Sequence, residues 1–256
     1  MKEQPLILVT NDDGITAPGI RALIEVMNEL GDVVVVAPDS PQSGMGHAVT
    51  INSTLYLDLI QIDDGPQVEY KSNGTPVDCV KLGISEVLHR KPDLVVSGIN
   101  HGSNSSINVI YSGTMSAAVE GGIEGISSIG FSLLDYKWDA DFSAAKYFAK
   151  QIAGNILNNG MPKGVVLNVN IPALPLNEIK GIKVARQANA KWNETFDRRE
   201  NPHGRKYYWL SGEFVNNDKG EDTDEFALAN AYVSVVPIQY DMTAYAVIDQ
   251  LKNLEK

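Results

Sequence analysis

An acidic pair follows the first apolar run of the chain, in the segment LVTNDDGITAPG at positions 8–19. The carboxylates of Asp12 and Asp13 repel each other, and ionised groups resist burial unless a cation or hydrogen-bond donors compensate. Neighbouring side chains of a strand point to opposite faces, so the two carboxylates converge only if the strand ends here, which Gly14 permits. The pattern indicates either a cation site or a solvated turn, because Asn, Asp and Gly are also common turn residues.

Two further polar loops follow later apolar runs. The segment PDSPQSGMGH, after the run VVVVA, offers the hydroxyls of Ser40 and Ser43. The segment GINHGSNSSINVIYSGT, after the run DLVVS, offers the amide oxygens of Asn100 and Asn104. Carboxylate, amide and hydroxyl oxygens form a hard donor set, which suits Mg²⁺ or Mn²⁺ and does not suit a thiolate zinc site. A divalent cation held by oxygen ligands is therefore the first hypothesis.

The segment YSGTMSAAVEGG supplies a complementary anion site. Ser112, Gly113 and Thr114 stand at the start of a predicted helix whose first turn is rich in small residues. Exposed backbone N–H groups and the positive end of the helix dipole can hold a phosphate there. The alternative is an ordinary N-terminal cap, in which a hydroxyl accepts a backbone N–H bond. None of these loop segments contains Lys or Arg, so a cation and the helix terminus would have to neutralise most of a phosphate's charge.

The histidines of these loops and the single cysteine are not assigned to the cation site. His47 and His101 are interpreted as hydrogen-bonding or substrate-edge residues rather than as metal ligands. Cys79 cannot form an internal disulfide, and its apolar, helix-like surroundings favour a buried thiol over a nucleophile. One such cysteine is compatible with a reducing compartment, and we expect a cytoplasmic protein.

Buried strands alternate with helical patterns over roughly the first 170 residues. Such alternation predicts an α/β fold, a doubly wound and mostly parallel sheet with a Rossmann-like core. Ligands bind at the carboxyl ends of the strands in such sheets, which is where the polar loops fall. Strands are predicted at 6–10, 33–37, 93–98, 127–134 and 164–170, with extended candidates at 54–60 and 67–71. Helices are predicted at 19–30, 77–90, 112–121 and 141–157.

The pattern changes from about residue 171 onward, where the helical alternation ceases. We predict an appended β-rich portion with strand-like segments at 171–187, 205–212 and 231–238, and a polar, irregular stretch at 188–204. The segment 241–256 predicts an amphipathic helix that carries Val247, Ile248, Leu251 and Leu254 on one side. No clear linker separates the parts. We therefore predict one domain over 1–256, with an α/β core over about 1–170 and, over about 171–256, a β-rich extension and a carboxyl-terminal helix for oligomerisation.

Composition and charge limit the classes of partner that the chain can bind. With 256 residues, of which 43% are hydrophobic, the chain can bury a substantial core. Its formal net charge of -11 speaks against a nucleic acid duplex as partner, since nucleic-acid binding rests on a basic surface. No segment has the ~18 uncharged apolar residues of a membrane span, so no membrane association is predicted.

Six segments of the chain, in order, resemble those of one family. They are ILVTNDDGITAPGI, VVVVAPDSPQSG, NGTPVDCVKLG, PDLVVSGINHGSN, VIYSGTMSAAVEG and YVSVVPI. Together they resemble the survival protein SurE family of metal-dependent nucleotidases. The resemblance implies hydrolysis of nucleoside 5′- and 3′-monophosphates to nucleoside and phosphate. It also implies one divalent ion per subunit, Mg²⁺ or Mn²⁺, and assembly as a homodimer or homotetramer.

The resemblance also assigns site residues, carried over position by position. The metal ligands would be Asp12, Asp13, Ser43 and Asn100. The catalytic residues would be Asp12, Asp13 and Asn100, and the phosphate would meet Asn100, Ser112, Gly113 and Thr114. One departure concerns Ser106, which stands near a position where family members commonly have glycine. If the backbone there needs a positive φ angle, serine imposes strain or a different loop path.

Three other classes fit the residues less well. A haloacid-dehalogenase-type phosphatase would need an aspartate where Asn11 stands. A receiver domain needs a phosphoacceptor aspartate at the end of a later strand, for which Asp39 is the only near candidate, and the chain is too long for a lone receiver. A dinucleotide-binding oxidoreductase would show G-x-G-x-x-G after the first strand, and the chain does not.

The sequence leaves two candidate nucleophiles for a phosphatase reaction. Water activated by the metal is the favoured nucleophile, and an aspartyl-phosphate intermediate is the alternative. If both carboxylates hold the metal, neither is free as a base, so His101 or a second water would serve.

Overall fold

The structure, a computed structural model, describes residues 4–255, in which eleven strands and six α-helices occur. The strands are β1 (Leu6–Thr10), β2 (Asp32–Pro38), β3 (Leu57–Ile60), β4 (Val68–Ser72), β5 (Leu94–His101), β6 (Ser127–Leu133), β7 (Val165–Ile171), β8 (Ile182–Val184), β9 (Ala190–Glu200), β10 (Lys206–Asn216) and β11 (Val233–Gln239). The α-helices are α1 (Pro18–Met27), α2 (Pro76–Leu82), α3 (Gly113–Ile123), α4 (Ser143–Asn159), α5 (Asp224–Ala229) and α6 (Ile248–Leu251). Within residues 4–255, no helix has the length and apolar composition that a membrane crossing requires.

Nine strands form one sheet in the order β3-β4-β2-β1-β5-β6-β7-β11-β8. The six central strands, from β4 to β7, run parallel, while β3 pairs antiparallel with β4 and β11 pairs antiparallel with β7. Strand β1 lies between β2 and β5, so the chain builds the sheet first to one side of β1 and then to the other. The predicted doubly wound sheet is confirmed, and its switch point lies between the carboxyl ends of β1 and β5.

Both faces of the central strands are covered, which explains their unbroken apolar sequences. All five residues of β1 are buried. Ile7 and Val9 pack into the cluster formed with α1 and α4, whereas Leu8 packs on the opposite face with Cys79 of α2 and Ala117 of α3. Burying a side chain of this size contributes about 1.5–3 kcal/mol. A rigid, doubly covered β1 therefore presents the acidic pair that follows it.

One prediction for the second half of the chain is wrong. The stretch 188–204, expected to be irregular, contributes β9, which pairs with β10 over eleven residue pairs to form a two-stranded hairpin. Its side chains are almost all exposed, so no buried face marks them as a strand in the sequence. The six-residue α5, which the sequence pattern does not predict, forms behind a Thr223 cap. Strands β8 and β11 extend the main sheet rather than standing apart from it.

The carboxyl-terminal segment is less regular than the predicted continuous helix. It consists of a 3-10 turn at Tyr245–Val247, the short α6 and a second 3-10 turn at Lys252–Glu255; Lys256 lies outside the described residues. The apolar side chains of the segment are exposed, up to 77% at Leu254 and 89% at Met242. Val247 is 38% exposed and Leu251 is 55% exposed, so the described chain buries only part of this apolar side.

Candidate active site

The acidic pair lies in a turn at the end of β1. Gly14 has a φ of 96°, in the left-handed region that glycine adopts without strain. The turn is closed by Asn11, whose Nδ2 donates to the Gly14 carbonyl at 2.9 Å. The turn buries Asp12, which is 4% exposed, and leaves Asp13 partly buried. The strand ends here as the sequence requires, and the alternative of a solvated turn does not apply to Asp12.

Asp12 packs directly against the start of α3. Its Oδ1 accepts a hydrogen bond from the Thr114 hydroxyl. A Cβ added at Gly113 would lie 2.7 Å from the Asp12 Cβ, so only glycine allows the helix to begin this close. Burial, and then the charge of Asp13, raise the pKa of Asp12 to about 6, while the Thr114 hydrogen bond acts in the opposite direction.

Asp13 contacts the end of β5. Its Oδ2 accepts a hydrogen bond from the backbone N–H of His101 at 3.3 Å. Burial raises the pKa of Asp13, and the His101 N–H partly offsets this effect. Neither Asp13 nor Asp12 forms an ion pair with Lys or Arg in the part of the chain that the structure describes. Two crowded carboxylates without a counter-charge suit a divalent cation.

Asn100 and Ser43 are the other oxygen-bearing residues predicted to hold the cation. The Asn100 Nδ2 donates to the Gly102 carbonyl at 2.8 Å, which leaves its Oδ1 for another partner. Ser43 is exposed and follows Gln42, whose N–H donates to the Asp12 carbonyl at 2.7 Å. Among residues 4–255, no group of three or more His, Cys, Asp or Glu has metal-binding geometry. Any ion here would therefore be held by two carboxylates together with amide, hydroxyl and water oxygens, as Mg²⁺ and Mn²⁺ accept.

The start of α3 carries the predicted anion site. The Ser112 hydroxyl accepts from the Met115 N–H at 3.0 Å, so this side chain acts as an ordinary N-cap. The Thr114 hydroxyl is directed at Asp12 and is fully buried. The backbone N–H groups of Gly113 and Thr114 occupy the first helical positions, where no intrahelical partner exists. An anion at this end of α3 would meet backbone N–H groups beside the acidic pair.

Three of the other polar residues in the loops have partners away from the acidic pair. The Ser40 hydroxyl donates to Asp39 at 2.9 Å. The Asn104 Nδ2 donates to the Ser132 hydroxyl at 2.8 Å, inside a buried amide network. His47 Nε2 bonds the buried carboxylate of Glu120 at 2.8 Å. None of these contacts involves Asp12 or Asp13.

His101 lies closer to the pair than the other histidine. Its Nδ1 bonds the Lys137 carbonyl at 2.8 Å, and its Nε2 is buried without a hydrogen-bond partner. The imidazole stacks on Trp138 at 5.9 Å between ring centroids and meets the edge of Phe142 at 5.2 Å. Sequence reasoning did not identify this aromatic support, because Trp138 follows a different strand.

Sequence reasoning also missed the supports of the loop between β5 and α3. Asn170 Oδ1 accepts from the Asn104 N–H at 2.8 Å, and Asn168 Nδ2 donates to the Asn104 carbonyl at 2.8 Å. Both side chains come from the buried face of β7, in the sequence VVLNVNI. Two asparagines two residues apart in an apolar strand share one face and were the available signal. Ser106 adopts a φ of 52°, so the positive angle suspected at this position is present.

Comparison with known proteins places these features in a family. The family model for survival protein SurE matches residues 7–194. The 5′-nucleotidase SurE of Christiangramia forsetii is 68% identical over 253 residues, covering 98% of this chain and 97% of the relative. The 5′-nucleotidase SurE of Flavobacterium johnsoniae is 68% identical over 251 residues, with the same coverage. The crystal structure of the SurE protein from Aquifex aeolicus matches with a TM-score of 0.85 at 43% identity, over 98% of this chain and all of that one. The chain belongs to the SurE family.

Proposed function

We propose that this chain hydrolyses nucleoside 5′-monophosphates, and also 3′-monophosphates, to nucleoside and phosphate with a divalent metal. One observation carries the proposal: Asp12 and Asp13 lie together at the switch point of the sheet without a counter-charge, and Asp12 packs against the N-terminus of α3. Relatives 68% identical over nearly the whole chain are named 5′-nucleotidase. The site can therefore attract a cation and a phosphate side by side.

The side chains would divide the work as follows. Asp12, Asp13, Ser43 and Asn100 hold one Mg²⁺ or Mn²⁺ ion. When bound, the ion polarises a phosphoryl oxygen and lowers the pKa of a coordinated water. The backbone N–H groups of Gly113 and Thr114 receive the non-bridging oxygens, and the Asn100 amide contacts the same group. The Thr114 hydroxyl keeps Asp12 in place, because its hydrogen bond is made to the carboxylate itself.

The chain's own groups also favour water as the nucleophile over an aspartate. Asp12 is held by Thr114 on one oxygen and is packed against Gly113, so its freedom to form and release an acyl phosphate is limited. Asp13 is fixed less tightly, through one backbone N–H. If an aspartyl-phosphate intermediate forms, we therefore expect it on Asp13. Trapping such an intermediate by acid quench would refute the mechanism in which water is the nucleophile.

We further propose that the protein is a homodimer or homotetramer. Exposed aromatic side chains line the β9–β10 hairpin, and apolar ones line the carboxyl-terminal segment. Trp209 is 61% exposed and Leu251 is 55% exposed, although both residue types are usually buried. A neighbouring subunit would cover them. Light scattering should then report two or four times 27.8 kDa.

We also propose a cytoplasmic location. The single cysteine, Cys79, is a free and buried thiol, and the chain does not depend on a disulfide for its fold.

The proposed activity is tested with a panel of mononucleotides. Metal-stripped protein is assayed for phosphate release from 5′- and 3′-monophosphates, with Mg²⁺, with Mn²⁺ and with EDTA. We expect release only with a divalent ion. Hydrolysis of a simple aryl phosphate without hydrolysis of any nucleotide would replace the proposal with a general phosphatase.

A further inference from the structure

A serine occupies a strained backbone position in the loop that joins β5 to α3, the elements that carry the proposed metal and phosphate sites. Loop 102–112 runs from the end of β5, with Asn100, to the start of α3. Within it, Ser106 is fully buried and has a φ of 52°. Residues other than Gly, Asn and Asp rarely adopt this conformation. Such a residue persists only where its surroundings hold it.

The surroundings of Ser106 are supplied by the carboxyl-terminal part of the chain. Its N–H donates to Asp224 Oδ2 at 2.7 Å. Its hydroxyl donates to the Ala188 carbonyl at 2.8 Å and approaches the Ala190 carbonyl at 3.3 Å. Ala190 is the first residue of β9, so the hydrogen bonds of Ser106 link loop 102–112 to the start of the β9–β10 hairpin.

Asp224 is the centre of this junction. It is fully buried, and its Oδ1 accepts from the N–H groups of Ala188 and Glu225 at 2.9 and 2.8 Å. No Lys or Arg of the described chain forms an ion pair with it, and its two oxygens accept hydrogen bonds from backbone N–H groups. The neighbouring Glu225 accepts from the Ser105 hydroxyl at 2.5 Å. Burying a carboxylate this deeply costs folding free energy unless the carboxylate is hydrogen-bonded.

We infer that Asp224 is a positioning residue of the nucleotidase site. Acting through Ser106, it fixes the path of loop 102–112 and therefore the place at which Gly113 and Thr114 meet the phosphate. The same bonds tie this loop to the β9–β10 hairpin, which also contacts it where Trp192 Nε1 donates to Asn108 Oδ1 at 2.8 Å. The inference rests on the proposed phosphate site at the start of α3.

The test compares two aspartates of one segment. In Asp224→Asn, one side-chain oxygen remains and can still accept its hydrogen bonds. The other oxygen is replaced by an N–H₂ group, which faces a backbone N–H and cannot accept a hydrogen bond from it. Asp222→Asn is the matched control, because Asp222 is exposed and pairs with Arg186. At a temperature where melting curves show both variants folded, we expect kcat/KM for a mononucleotide to fall at least tenfold in Asp224→Asn and to stay within twofold in Asp222→Asn. Mn²⁺ binding, followed by electron paramagnetic resonance, should be unchanged in both.

A second change separates positioning from general destabilisation. Ser106→Ala leaves Asp224 in place and removes only the hydroxyl bonds that link the loop to the Ala188 and Ala190 carbonyls. If Asp224→Asn does not fold, Ser106→Ala, which removes the hydroxyl bonds, should lower kcat/KM at least threefold with Mn²⁺ binding intact. Wild-type kcat/KM in Asp224→Asn or in Ser106→Ala would overturn the inference. Inactivity of wild-type protein that binds Mn²⁺ would instead refute the proposed function.

Discussion

Replacing Asp12 by asparagine should stabilise the metal-free protein while it destroys activity. Burial and the nearby charge of Asp13 raise the pKa of Asp12 from 3.8 to about 6. Because the folded pKa lies above the unfolded one, the native state holds this proton more tightly. Its contribution to stability is present below about pH 4, is lost as the pH rises to about 6, and stays lost above that. A difference of about two pKa units corresponds to about 3 kcal/mol.

Asparagine has nearly the shape of aspartate and no charge. Its amide oxygen still accepts the hydrogen bond that Thr114 now donates to Asp12, but an amide nitrogen replaces the second oxygen, at a cost of about 1 kcal/mol. We therefore expect metal-free Asp12→Asn to be about 2 kcal/mol more stable than wild type at pH 7.5. For a chain of this length the melting temperature should rise by about 4–8 °C. Turnover should fall at least ~100-fold, because the metal and its charge stabilisation are lost.

The assay is a set of melting curves in EDTA at pH 4.5 and pH 7.5, followed by circular dichroism. The gain in Asp12→Asn should be several-fold larger at pH 7.5 than at pH 4.5. Asp58→Asn, which changes an exposed carboxylate, serves as the control and should change neither curve by more than ~1 °C, as surface substitutions rarely do more. Mn²⁺ should raise the melting temperature of wild type and not that of Asp12→Asn.

The result that would refute this reasoning is a metal-free Asp12→Asn protein that melts below wild type at pH 7.5. The Asp12 carboxylate would then be compensated by groups of the chain itself, and the argument for a cation would lose its physical basis.

Three further predictions address other parts of the account. Thr114→Val keeps the shape and removes the hydroxyl on Asp12, so kcat/KM should fall by the equivalent of about 1–3 kcal/mol; unchanged kinetics would show that only the backbone of this turn matters. Deletion from Asp241 onward should weaken assembly in light scattering while Mn²⁺ binding persists, and an intact oligomer would show that this segment is not its anchor. Burial raises the pKa of the Cys79 thiol, so it should resist a thiol reagent at pH 8 until the protein unfolds, and rapid labelling of folded protein would contradict its position.

The sequence predicts the part of the fold in which burial repeats along the chain. Strands such as β1 and β2 are short apolar runs because helices cover both faces of the sheet, and their ends bring the polar loops together. The acidic pair could be located for the same reason: its position follows from the topology. The resemblance to the family also draws attention to Ser106, whose φ of 52° lies in the left-handed region.

The sequence does not predict elements whose stability comes from outside a local pattern. Strand β9 is held by β10 and has no buried face of its own, so its residues look like a polar loop. Helix α5 is too short for periodicity to show and depends on its Thr223 cap. The segment 241–256 does have a helical apolar pattern, yet it forms broken turns, because the described chain buries only part of its apolar side.

The roles of side chains at the site were predicted less well than their location. Ser112 and Thr114 lie where the anion site was expected, but the hydroxyl of Ser112 caps α3 and that of Thr114 holds Asp12. Which of several nearby partners a hydroxyl chooses depends on distances of a few tenths of an ångström. A sequence does not contain such distances, so contacts of this kind require the structure.

Metal dependence of phosphate release tests the central claim most directly. The wild-type protein is stripped with EDTA, dialysed, and assayed on a nucleoside 5′-monophosphate before and after addition of Mg²⁺ or Mn²⁺, beside Asp12→Asn and Asp13→Asn. We predict that stripped wild type releases no phosphate, that either ion restores release, and that neither ion restores it in the two variants. Undiminished release by the stripped wild-type protein, or by either variant, would contradict a catalytic cation held by the acidic pair.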